Sequence, residues 1–91
     1  MKIDWKNSSK SPYDMVIDII ESWCTEKGYY SDMVVSLRLD GIIYNAYLEL
    51  NTDTSEWVWE WEWDWFEGGE VELLGFCPID AVIIPEEYMT I

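Results

Sequence analysis

Apolar and polar positions along the chain follow two periodicities, one helical and one of period two. Tyr13, Val16, Ile17, Ile20, Trp23 and Cys24 recur at the i, i+3, i+4, i+7 spacing, while Asp14, Asp18 and Glu21 lie mostly on the other side. Ser11 stands where an N-cap belongs, Pro12 at the first helical position and Asp14 at the third, and Gly28 supplies a C-terminal stop. The pattern therefore predicts a helix over 12–27.

From residue 33 the period changes to two. Met33–Leu39 and Ile42–Leu50 are β-rich runs joined by Asp40-Gly41, the strongest local signal for a two-residue hairpin, which favours a type I′ turn. Pairing Leu39 with Ile42 places Met33, Val35, Leu37 and Leu39 on one face with Ile42, Tyr44, Ala46 and Leu48. Ser36, Arg38, Asn45 and Glu49 then share the other.

Beyond the polar loop 51–55, Trp57, Trp59, Trp61, Trp63 and Trp65 alternate with Val58, Glu60, Glu62 and Asp64, which predicts a nine-residue strand. A turn at Glu67-Gly68-Gly69 would return the chain as a second hairpin, with Val71 and Leu73 beside the tryptophans, Glu72 beside Asp64 and Gly75 opposite Trp61. Ala81–Ile84 reads as a last short strand, and residues 1–10 as a flexible arm or short edge strand. The predicted fold is α+β: one N-terminal helix packed on a four- to five-stranded antiparallel meander sheet, with 1–91 forming a single domain. At 91 residues there is room for one core and not for two.

Composition changes this picture in one respect. An apolar share of 49% supplies a core, but 19 acids face five bases, for a net charge of −14. Three of the bases, Lys2, Lys6 and Lys10, fall in the first ten residues, and nine acids with no base lie between Glu49 and Glu72. Such a field repels nucleic acid and anionic membranes and attracts a basic protein. No signal-peptide pattern opens the sequence and no apolar run approaches the roughly 20 residues of a membrane span, so a cytoplasmic location is expected. Cys24 and Cys77 are expected as reduced thiols.

The residues that stand out for binding are the tryptophans and the acids between them. The central indoles read as core, whereas Trp57 or Trp65, at the ends of a strand of about 30 Å that outruns a helix of about 24 Å, are candidates for exposure. Exposed indoles suit a protein-binding anchor, a homodimer seam or a sugar-stacking platform. Glu60, Glu62 and Asp64 would project from one strand face at intervals of roughly 6.8 Å, with Glu72 and Glu49 nearby. That row is either a solvated face or an imitation of successive phosphates. Asp53-Thr54-Ser55-Glu56 lacks the length and glycine of a calcium loop, so no metal or other cofactor is expected. The chain has no histidine, no activated nucleophile and no phosphate-binding loop, so the carboxylates are expected to bind and not to catalyse.

In size, charge, β-rich make-up and the acid-interleaved segment from Trp57 to Phe66, the chain resembles the small acidic DNA-mimic proteins with which phages and mobile elements block restriction enzymes and CRISPR nucleases. The resemblance implies an inhibitor that occupies the DNA-binding groove of a nuclease. An immunity-type antitoxin against a basic toxin, an aromatic carbohydrate-binding module and a phage assembly protein remain alternatives.

Overall fold

The computed structural model describes residues 1–60, 63–64 and 68–79. The helix forms as its caps dictate. α1 spans Pro12–Lys27; the Ser11 hydroxyl accepts a hydrogen bond from the Asp14 N–H, and Gly28 ends the helix at φ 69° while the Tyr29 N–H bonds the Cys24 carbonyl. A positive φ at that position is what glycine tolerates without strain. Val16, Ile20 and Cys24 are fully buried against the sheet.

Four antiparallel strands follow: β1 (Met33–Leu39), β2 (Ile42–Asn51), β3 (Glu56–Trp59) and β4 (Val71–Pro78). Asp40 and Gly41 both have positive φ, 50° and 86°, as a type I′ turn requires, and β1 pairs β2 from Leu39 with Ile42 to Met33 with Leu48. The fold class is thus the one the periodicities predict, an N-terminal helix on a four-stranded antiparallel sheet.

The strand order is not a meander. It is β3-β2-β1-β4, three consecutive strands and a fourth that returns beside the first, which is a Greek-key order. β3 stops at Trp59 and pairs with β2 from Leu48 with Trp59 to Asn51 with Glu56, so the nine-residue tryptophan strand and the second hairpin do not form. Gly75 lies opposite Ser36 on the β1 side. Trp61, Glu67 and the expected strand Ala81–Ile84 lie outside the described residues.

Pairing explains why β4 crosses the sheet. In the expected hairpin Glu72 would have faced Asp64, a like-charge neighbour; beside β1 it pairs with Arg38, whose Nη1 lies 2.8 Å from its carboxylate. The same register sets Val71 against Leu39 and Leu73 against Leu37. A bulge then takes Leu74 out of register, so that Phe76, which strict alternation would have turned outward, meets Val35 on the helix side and is buried. The Asp40 carboxylate accepts the Glu70 N–H at 2.8 Å and fastens the start of β4 to the hairpin turn.

The returning connection is anchored by an indole. Trp63 is 2% exposed, stacks edge-on with Tyr13 at 4.4 Å and with Trp59 at 5.6 Å, and its carbonyl accepts a hydrogen bond from the Tyr13 hydroxyl. At the opposite end of α1, Trp23 meets Phe76 edge-on at 5.5 Å. Residues 1–3 are not a free arm: Met1–Ile3 lies along β4, with the Ile3 N–H on Val71 and the Leu73 N–H on Met1 at 2.8 Å each, and Ile3 enters the core. Ile42 and Tyr44, expected in the core, keep the helix-side face by register but are 58% and 41% exposed. They sit at the hairpin end that the helix leaves bare.

Candidate functional site

The helix covers one face of the sheet, and alternation sends every second strand residue to the other. On that outer face Ser36 bonds Asn45 at 2.8 Å, Arg38 pairs with Glu72, and Tyr47 and Val58 contribute apolar surface. Cys77, opposite Val34, belongs to this face, while Cys24 lies under the helix; both are free thiols. Desolvation pushes the Cys24 thiol from its ordinary 9.0 up to about 11.

The acids of this face divide by edge. Glu72, on β4, accepts from Arg38 at 2.8 Å and lies 3.9 Å from the terminal ammonium of Met1, while Glu70 at the start of that strand has Lys2 at 3.8 Å. The β3 edge is different. Glu49 lies directly opposite Val58, Glu56 is two residues before it, and the Glu60 N–H continues the ladder by donating to the Tyr47 carbonyl at 3.1 Å. Glu56, Glu49 and Glu60 therefore form a zigzag around Val58 with steps of about 7–8 Å. All three are exposed, and among the described residues none has an ion pair.

Of the residues singled out from the sequence, Glu49 and Glu60 meet on this edge. Glu72 shares the face but is neutralised on the far side, and Asp64 is exposed but lies outside any strand, so the row Glu60, Glu62, Asp64 does not form. Glu62 and Trp65 lie outside the described residues. Trp57 is half-buried on the helix side, opposite Leu50, and lines a cleft there. Glu56 is the member that sequence reasoning placed neither in the loop 51–55 nor in the strand from Trp57; counting back by twos from Glu60 through Val58 finds it.

Among the described residues no group of three or more metal-ligating side chains is placed to hold an ion, and no helix is long and apolar enough to cross a membrane. In comparisons with known proteins, no family model, curated protein or solved structure matches the chain significantly.

Proposed function

We propose that the chain is an acidic inhibitor that acts in the cytoplasm by binding a basic, nucleic-acid-binding protein, such as a CRISPR or restriction nuclease, in place of DNA phosphates. The observation that carries this reading is the bare zigzag of Glu49, Glu56 and Glu60. Like charges on diagonal neighbours of one sheet face repel, and the molecule neutralises Glu72 while among the described residues no base pairs with these three. Their spacing is of the same order as that of successive phosphates on one strand. The net charge of −14 adds long-range steering toward a cationic groove. The action is occupancy, with no bond made or broken.

The test is competition with DNA for a nuclease of the source host, titrated at several ionic strengths. Apparent affinity should fall steeply with salt, because exposed charges are screened beyond about 10 Å at 0.1 M. Binding indifferent to salt overturns the reading.

A second reading, assembly with further copies, is favoured by one observation. Ile42, Ile43 and Tyr44 are 58%, 60% and 41% exposed, and β3 pairs only with residues 48–51 of β2, so among the described residues no strand lies beside 42–45 on the edge away from β1. An uncharged open edge of this kind invites strand pairing. Light scattering across a concentration series decides between a monomer and a self-paired dimer.

A further inference from the structure

The helix-side cleft at the other end of the sheet has a chemistry of its own. It lies between the C-terminal half of α1 and the β2–β3 turn, has a volume of about 380 Å³, and is lined by Trp57, Tyr30, Glu21 and the hydroxyl-bearing Thr25, Thr52 and Ser55. That volume is at the small end of the range of about 300–1,000 Å³ for ligand pockets, the scale of one side chain and not of a large cofactor. Glu21 carries the only charge among the described lining residues, and no described base pairs with it. The Thr25 hydroxyl and the Tyr30 phenol lie 3.1 Å apart, which holds the ring of Tyr30 against the helix. Trp57 is fixed from below by its place in β3 and the core.

We infer that this cleft receives an arginine side chain of the basic partner, with the guanidinium beside Trp57 and Tyr30 and its N–H groups on the Glu21 carboxylate. Two aromatic rings with an unpaired carboxylate form a site for a cation, since the ring quadrupole and the carboxylate both attract positive charge. Arginine fits better than lysine: its planar group stacks on rings and forks to a carboxylate at once, whereas an ammonium is compact and strongly hydrated. The hydroxyls of Thr25, Thr52 and Ser55 accept the remaining N–H groups. The inference rests on the reading of a basic partner and adds a second contact to it, on the face of the sheet away from Glu49, Glu56 and Glu60.

The experiment uses the full chain and three capped tripeptides, acetyl-Gly-Arg-Gly-amide, its lysine counterpart and its citrulline counterpart, which keeps the shape of arginine without the charge. Each is titrated by amide and indole NMR. The arginine peptide should shift the signals of Glu21, Thr25, Tyr30 and Trp57 saturably and bind about fivefold more tightly than the citrulline peptide, with lysine between. Glu21→Gln, an exposed helix substitution that leaves the spectrum folded, should bring arginine down to the level of citrulline, and Tyr30→Ala should weaken both. Equal binding of arginine and citrulline, shifts elsewhere on the protein, or indifference to Glu21→Gln overturns the inference; equal binding points to a neutral ligand such as a sugar. The triple variant Glu49→Gln, Glu56→Gln, Glu60→Gln separates the two levels. It should retain the arginine peptide while losing the nuclease. A wild-type protein that ignores the peptides yet binds a nuclease in a salt-dependent way refutes the cleft alone, and one that binds the peptides and no basic protein refutes the wider reading alone.

Discussion

The two edges of the sheet treat the same residue type in opposite ways. On the β4 edge the carboxylates are structural: Glu72 is held by Arg38 and the N-terminal ammonium, and the first three residues of the chain cover the strand. On the β3 edge Glu49, Glu56 and Glu60 stand in solvent around Val58 with no base among the described residues. Of the two edges, only the strand that crosses the sheet to β1 has its acids neutralised among the described residues. Bare charge on an open edge strand opposes edge-to-edge pairing, and under the proposed function it also serves a contact outside the fold.

The crossing itself is where the comparison breaks most severely. Trp63 anchors the connection between the two edges, and Trp63→Ala should cost about 3–5 kcal/mol in chemical denaturation, as its ring packing on Tyr13 and Trp59 disappears. Wild-type stability in that variant would mean that the connection does not hold β4 in place.

A second effect is on the buried side and depends on pH. The folded-state pKa of Cys24 is raised to about 11 from 9.0, so above the lower value the unfolded chain loses the proton while the folded chain keeps it. Stability from this group is complete below about pH 9 and is lost as pH rises through 11, on the order of 2 kcal/mol. Thermal melts of wild type and Cys24→Ala should diverge in slope over that window. Parallel curves would show that the thiol is hydrated.

How much of this was legible in the sequence follows from which interactions are local. The helix, its caps, the type I′ turn and the register from Leu39 with Ile42 rest on neighbours within a few residues, and they fold as their periodicities say. The tryptophan alternation misled because period two marks a possible strand and not a partner; the ladder reaches Glu60, whereas Trp63 and Asp64 lie outside any strand and Trp63 enters the core. The partner of β4 was set by long-range terms, namely Arg38 for Glu72 and the apolar match of Val71 and Leu73 with β1. Glu72 next to Asp64 was the available warning, since two facing acids argue against a hairpin. The bulge at Leu74 has no local signature beyond the adjacent Gly75. In the candidate site, Glu49 and Glu60 were legible from alternation, whereas Glu56 needed the true start of β3.

Glu72→Gln tests the neutralised edge. It removes a half-exposed ion pair, so the loss should be small, about 0.5–1 kcal/mol, and it should not change partner affinity beyond the loss of one distant charge.

The smallest change in stability, and the most informative, belongs to the bare edge. Glu49→Gln, Glu56→Gln and Glu60→Gln keep side-chain size and strand geometry while removing three like charges from one patch, so stability should stay equal or rise by tenths to about 1 kcal/mol. Partner affinity should fall at least about tenfold and its salt dependence should flatten, because the substitutions remove charge from the proposed binding surface and little else. The sign is opposite to that of Glu72→Gln, which lowers stability and spares binding. A solvated face with no role would give the same gain in stability with unchanged affinity, and a structural role for these acids would give a loss. Thermal melts and competition with DNA on the two variants side by side therefore decide whether the division between the edges is functional; a triple variant that binds the nuclease as the wild type does ends the phosphate-mimic reading.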